Sequence, residues 1–226
     1  MTPFPVGFLL DLGRCVGCGA CVVACRMENR VPSGIFWRRI VPMNLARYPG
    51  GATYFFSLAC HHCQDPPCAR GCPSGALGKR PDGVVTLNAD LCLGCRYCEM
   101  ACPFGAPAYD SSAGVMTKCH LCHHRLDAGL LPACIDACPV GALRLAGGAA
   151  AGDSPARFGE AGADAPAVRA GGVPGFVDPG GAEPTLGLVP PAGGIRGARY
   201  AALVSLLAEA RDAEDEASEG HGDGHG

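Results

Sequence analysis

Apolar positions along this chain fall in short runs broken by glycine, proline and cysteine, and almost none persists long enough for a helix. Val6-Gly-Phe-Leu-Leu-Asp-Leu12 is a short apolar run closed by Gly13, which predicts a strand. Residues 26–59 are interrupted by Pro32, Pro42, Pro49 and Gly50-Gly51 and predict irregular chain with one strand over Thr53–Ala59. Ala76-Leu-Gly-Lys79 and Val84-Val-Thr-Leu-Asn88 flank Pro81-Asp82-Gly83. Proline presets φ and glycine tolerates a positive one, so the two runs predict a hairpin. Gly141-Ala-Leu-Arg-Leu145 predicts a further strand. Only from Arg196 to about Arg211 does the period turn helical, with Tyr200, Leu203, Val204 and Leu207 at i, i+3, i+4 and i+7.

Composition sharpens this picture. With 226 residues the chain suits one or two domains. Yet 34 glycines, 20 prolines and only 6% aromatics argue against a large core of packed helices. A net charge of −3 argues against a basic nucleic-acid binder. Residues 1–145 carry a net +4 and residues 146–226 a net −7. Residues 146–195 contain 13 Gly, 7 Pro and 12 Ala, too little apolar surface to offset ordering; they predict an extended or mobile arm unless a partner covers it. The last fifteen residues, acidic and ending His221-Gly-Asp-Gly-His-Gly, predict disorder. No run approaches the roughly 20 apolar residues that span a bilayer. The N-terminus shows no basic leader, twin arginine or cleavage site before Asp11, so the expectation is a chain that neither spans a membrane nor exports itself.

All sixteen cysteines lie between Cys15 and Cys138, in four groups of four. The first is Cys15, Cys18, Cys21 and Cys25; the second is Cys60, Cys63, Cys68 and Cys72, followed by Pro73. The third is Cys92, Cys95, Cys98 and Cys102, followed by Pro103; the fourth is Cys119, Cys122, Cys134 and Cys138, followed by Pro139. The spacing C-x2-C-x2-C-x3-C-P is the bacterial ferredoxin signature. Three closely spaced thiolates converge on one cube, while the x3 gap starts a helical turn that aims the fourth at the other cluster of a pair. Zinc is the rival, because Cys60-His-His-Cys63 and Cys119-His-Leu-Cys122-His-His124 look finger-like, but it leaves the x3-Cys-Pro endings unexplained. A disulfide framework fits repeated C-x2-C pairs less well still. His61, His62, His120, His123 and His124 then read as supporting or surface groups rather than ligands.

Groups two and three enclose the predicted hairpin, as in a two-cluster ferredoxin. Groups one and four are flanked by the strands at 8–11 and 142–145, which read as the halves of an equivalent hairpin cut open at the chain ends. This predicts nested pairing, two with three and one with four. Cys15, Cys18 and Cys21 would hold one cluster with Cys138, and Cys119, Cys122 and Cys134 a second with Cys25. Cys60, Cys63 and Cys68 would hold a third with Cys102, and Cys92, Cys95 and Cys98 a fourth with Cys72. Sequential pairing is the alternative. Sixteen thiolates leave no labile iron site, so the clusters would carry electrons rather than bind substrate. Each oxidised cube with its thiolates is doubly negative, which gives the cationic bias of the core a role. Arg14, Arg70, Arg96 and Lys118 sit beside cluster cysteines, where they would raise potentials.

Leu91-Cys-Leu-Gly-Cys-Arg-Tyr-Cys-Glu-Met-Ala-Cys-Pro-Phe-Gly-Ala-Pro107 and Met116-Thr-Lys-Cys-His-Leu-Cys122 resemble the iron–sulfur (electron-transfer, beta) subunits of molybdopterin oxidoreductases of the dimethyl sulfoxide reductase type. The resemblance covers about residues 6–145. It implies an α+β fold of two ferredoxin-like, bis-[4Fe-4S] modules with nested ligation, followed by an irregular C-terminal arm. It implies four [4Fe-4S] clusters, since no group-three cysteine is replaced by the tryptophan that some relatives carry. It also implies two partners: a molybdopterin-containing catalytic subunit, and a quinol-reactive integral membrane anchor subunit that this chain does not itself supply. The expected organisation is a four-cluster domain over 1–145, an Ala/Gly/Pro-rich extended segment over 146–195, and a short amphipathic helix with acidic tail over 196–226. The expected role is a non-catalytic relay, held at the membrane through its partners on the extracytoplasmic face by co-export or on the cytoplasmic face. The rivals are the same relay in a formate dehydrogenase or hydrogenase complex, and, from a different class, a zinc-organised interaction module.

Overall fold

Near-continuous burial along Val6–Leu12 organises the fold. Phe8, Leu10 and Leu12 point into the core, and Leu9 lies half-buried between them. A computed structural model describes residues 6–43, 53–147, 168–169 and 182–189. In it β1 (Gly7–Asp11) ends where the buried Asp11 carboxylate accepts from the N–H groups of Gly13 and Arg14, at 3.0 and 3.2 Å, and turns the chain into the first cysteine loop. α1 (Ala20–Asn29) follows, burying Cys21 and Cys25.

The described part of residues 26–59, expected to hold one strand, holds two. β2 (Arg38–Met43) pairs antiparallel with β3 (Tyr54–Ala59), Arg38 opposite Ala59 and Pro42 opposite Phe55. Pro42 signalled a break, but a two-stranded ribbon is all edge, where proline is tolerated. α2 (Pro67–Arg70) precedes the expected hairpin, formed by β4 (Leu77–Lys79) and β5 (Val85–Leu87). After α3 (Tyr97–Ala101), a hairpin that the apolar pattern did not reveal joins β6 (Ala108–Asp110) to β7 (Val115–Thr117). α4 (His123–Asp127) and α5 (Ala133–Asp136) lead to β8 (Leu143–Ala146).

β8 returns antiparallel to β1, with Phe8 opposite Leu145 and Leu10 opposite Leu143, so the two cut-open strands do meet. The other side of β1 is taken by the C-terminal arm. β10 (Gly187–Val189) pairs parallel with β1 and antiparallel with β9 (Val168–Arg169), giving the order β8-β1-β10-β9. This stretch of the arm is therefore neither irregular nor loose. Leu186, Leu188 and Val189 are buried, and the Leu12 N–H donates to the Val189 carbonyl at 3.0 Å. Composition hid it because three apolar residues around Gly187, flanked by Pro184 and Pro190, suffice for an added strand. The predicted 200–211 helix and the acidic tail lie outside the described residues.

Two cores result. The larger joins β1, β3, β8 and the arm around Phe56, Leu10 and Leu121; the smaller gathers Leu77, Val85 and Met116 around Cys68 and Cys98. Among the described residues no helix is long and apolar enough to cross a membrane.

Candidate metal centres

Each cysteine group begins on a loop and runs into a helix. Cys21 and Cys25 lie on α1, Cys68 on α2, Cys98 on α3 and Cys134 on α5. In every group the residue just before the second cysteine is left-handed: Gly17 at φ 68°, His62 at 46°, Gly94 at 64° and Leu121 at 55°. Such a residue reverses the loop so that the flanking thiols face the same side. A non-glycine residue there carries about 1–3 kcal/mol of strain, which His62 and Leu121, both fully buried, are packed to hold.

All sixteen cysteines are free thiols. Burial holds the Cys15 thiol above its usual range, with the charges of Cys21, Cys138 and Cys18 adding to the effect. Burial pushes Cys25 up to about 12, reinforced by Cys134 and Cys122. Cys63 rises to about 12 through burial and then through Cys60, Cys102 and Cys68. Cys98 rises to about 11 through burial and then Cys92, Cys72 and Cys95. The fourth cysteine of each group is thus brought among the thiols of a different group. Cys60, Cys63, Cys68 and Cys102 line one pocket, and Cys72, Cys92, Cys95 and Cys98 line another.

The donor set suits a polynuclear iron–sulfur cube. Among the described residues no three Cys, His, Asp or Glu side chains converge closely enough to hold a single metal ion. Two of the thiol sets line pockets, which suits a cube with metal at alternate corners.

N–H and O–H groups point at the sulfurs. The Met116 N–H lies 3.3 Å from Cys92 Sγ, the Leu121 N–H 3.4 Å from Cys119 Sγ and the Ala106 N–H 3.5 Å from Cys102 Sγ. Asn29 Nδ2 reaches Cys122 Sγ at 3.6 Å and Cys25 Sγ at 3.8 Å. His62 Nδ1 accepts the Val85 N–H at 3.0 Å, which leaves the ring proton on Nε2, 3.8 Å from Cys119 Sγ. Burial holds this imidazole neutral, with the charge of Lys118 acting in the same direction. His61 and His62 are both buried, not surface groups.

Of the four cations singled out by sequence, Lys118 is buried, with Nζ 4.0 Å from Cys60 Sγ. Arg70 is engaged by Asp65, and Arg96 by Glu99 at 2.8 Å, with its guanidinium 5.4 Å from the Tyr109 ring centroid. Arg14 is half-buried in the first loop. Sequence reasoning passed over Arg38, which is wholly buried among Cys134, Cys119, Cys21 and Cys25. Burial alone would depress its basicity, and negative charge on those cysteines more than reverses that. Asn29 and Ser57 were also missed. Nothing in Trp37-Arg38-Arg39-Ile40 tells which arginine turns inward, since the answer depends on the pairing with β3.

Four groups of four cysteines, each on a loop that runs into a helix, define an iron–sulfur protein of the ferredoxin type. The chain matches the 4Fe-4S dicluster domain over residues 14–77 and again, through a second family of the same description, over 52–147. It is 42% identical over 150 residues to the B component of the anaerobic dimethyl sulfoxide reductase of Escherichia coli, an alignment spanning 61% of this chain and 71% of that one. It is 40% identical over 159 residues to the B component of the sulfite dehydrogenase of Allochromatium vinosum, spanning 61% and 66%. It is also 40% identical over 141 residues to the B component of the tetrathionate reductase of Salmonella typhimurium, spanning 62% and 56%. The chain thus belongs to the family of iron–sulfur subunits of the dimethyl sulfoxide reductase type. Its two dicluster domains correspond to four [4Fe-4S] clusters, which sixteen cysteines match at four per cluster.

Proposed function

We propose that this chain is the non-catalytic electron-transfer subunit of a membrane-associated oxidoreductase complex. It passes single electrons between a quinol-reactive integral membrane subunit and a molybdopterin-bearing catalytic subunit. Each [4Fe-4S] cluster, when bound, accepts and releases one electron with no coordination position left open. The first set is Cys15, Cys18, Cys21 and Cys138, and the second Cys25, Cys119, Cys122 and Cys134. The third is Cys60, Cys63, Cys68 and Cys102, and the fourth Cys72, Cys92, Cys95 and Cys98. The four-cluster domain is 1–145, and the arm straps it.

The observation that carries this reading is the order in which the sets touch. Cys134 of the second set feels the charge of Cys21 in the first, Cys119 that of Cys60 in the third, and Cys68 of the third that of Cys98 in the fourth. These neighbours favour the order one-two-three-four, a line rather than a cage. Both ends reach solvent, through exposed Cys18 and Cys95, while all four thiols of the second set are buried. Exposed apolar side chains accompany each end, Val16, Val23 and Met27 at the first and Leu93, Tyr97 and Met100 at the fourth. Two apolar collars at the ends of a wire suit docking to two different subunits.

Anaerobically purified chain is expected to be brown and to hold about sixteen iron and as much acid-labile sulfide. Added to a quinol-oxidising membrane fraction that contains the anchor subunit, it should be reduced. A colourless protein holding only zinc would sink the proposal. Location on the extracytoplasmic face predicts that protease added to intact spheroplasts degrades the chain; full protection would place it on the cytoplasmic face. One relative is named for a dehydrogenase and others for reductases, which favours a relay that runs either way under the catalytic partner's control.

A further inference from the structure

Two buried cations stand at the joints between consecutive thiol sets. Arg38 is 2% exposed and Lys118 3%. Among the described residues every ion pair belongs to other side chains, so neither cation has a carboxylate. Arg38 Nη1 donates to Ser57 Oγ at 2.8 Å, and that hydroxyl lies 3.5 Å from Cys21 Sγ in the first set. Its guanidinium stacks 4.3 Å from the Phe8 ring centroid, and Nη2 is buried with no partner of ordinary hydrogen-bond geometry. Its charge also reaches Cys134, Cys119 and Cys25 of the second set. Lys118 Nζ sits 4.0 Å from Cys60 Sγ of the third set and donates to the backbone carbonyl of Cys119, in the second, at 2.9 Å; it also donates to the Val85 carbonyl. The second set is flanked by one cation on each side.

An unpaired charge in a protein interior costs several kcal/mol unless an opposite charge balances it. Neutral thiols, a serine and an aromatic ring do not. A doubly negative oxidised cluster does, and a triply negative reduced one does so more strongly. Burial pulls the other way, because a dry site disfavours the more highly charged reduced form. Without compensation the buried second centre would be the hardest of the four to reduce and the steepest step in the line. Resting on the ligand sets proposed above, we propose that Arg38 and Lys118 act as paired electrostatic positioning residues. They raise the reduction potential of the second centre from both sides and keep it in step with the first and third.

The test is a redox titration, followed by EPR, of full-length, cluster-loaded chain carrying Arg38→Gln, Lys118→Met or Arg38→Lys. Single Cys→Ser changes at Cys18, Cys122, Cys63 and Cys95, one per set, assign the signals. Arg38→Gln is expected to lower the midpoints of the first and second centres, and Lys118→Met those of the second and third. The shared second centre should move by at least a tenfold change in its reduction equilibrium, about 59 mV for one electron. The fourth centre should not move, and Arg38→Lys should retain most of the wild-type value. Unchanged midpoints in variants that keep their iron would overturn the proposal, as would a shift spread equally over all four centres. If Arg38→Gln fails to hold iron, Lys118→Met and Arg38→Lys decide by the same criteria. Wild-type chain with far fewer than sixteen iron would instead count against the cluster reading on which this rests.

Discussion

At the scale of single residues, the left-handed position before the second cysteine separates what sequence displays from what it conceals. Gly17 and Gly94 announce themselves, while His62 and Leu121 adopt the same conformation only because packing imposes it. A Cβ on Gly94 would run into the Gly114 carbonyl oxygen as well as strain the backbone. Gly94→Ala should therefore empty the fourth set alone, lowering iron from about sixteen to about twelve per chain by elemental analysis. The cysteines were legible because ligand spacing is a local property. Arg38 was not, because burial of an arginine is decided by the strand that pairs with it, here with Ala59 opposite. The thiols also predict a pH response. In iron-free folded chain, Cys25, Cys63 and Cys68 are raised to about 12 by burial, so each stays protonated where an unfolded cysteine, near 9, begins to ionise. Their contribution to apoprotein stability is fully present below about pH 9 and is lost as pH climbs from there toward 12. Denaturant midpoints measured anaerobically across that window should fall for apoprotein. Loaded protein, whose thiolates are already ionised on iron, should lack this loss, and iron uptake at about pH 7 should release protons to a pH-stat.

At the scale of elements, short runs with a turn between them were readable, and elements completed by distant partners were not. The β4–β5 hairpin and the β1 and β8 strands carry their own signals. β2 was obscured by Pro42, and β10 by the Gly- and Pro-rich chain around it. Gly7 records the arm's close approach: a Cβ there would overlap the carbonyl oxygen of Thr185. Thr185 in turn donates through Oγ1 and N–H to the His61 carbonyl, at 2.6 and 3.1 Å, and the Gln64 N–H donates to the Glu183 carbonyl at 2.7 Å. The arm thus clamps the loop that bears Cys60 and Cys63. Gly7→Ala or Leu188→Ala should peel it off, the latter at a cost of about 2–5 kcal/mol. Limited proteolysis should then cut within 182–189 while the cysteine domain persists; an arm equally protected in both variants would refute the clamp. Across the molecule, Glu28 joins α1 to α4 by pairing with His124 at 2.8 Å and Arg125 at 3.0 Å. Those hydrogen bonds, His124 first, hold its carboxyl below the usual range. Partial exposure limits Glu28→Gln to about 0.2–1 kcal/mol.

At the scale of the whole molecule, two modest cores are held around sixteen thiols, so metal rather than packing supplies much of the stability. Anaerobic chelation should therefore lower the midpoint of the thermal transition followed by circular dichroism without abolishing it, and reconstitution with iron and sulfide should restore the original midpoint. The closure of β1 on β8 has a consequence for how the chain is made. The strand that opens the fold waits for a partner more than 130 residues later, and the second arm strand arrives later still. By contrast, every thiol of the two inner groups has emerged by residue 102, with the hairpin between them already able to form. Synthesis from the N-terminus thus finishes the middle first. The sets shared by the outer groups stay half-built, with Cys15, Cys18, Cys21 and Cys25 presented to the cell while Cys134 and Cys138 are still to come. Iron delivered too early meets an incomplete shell there, and a chain cut short before its last cysteine group would carry two finished centres beside the open remains of two others.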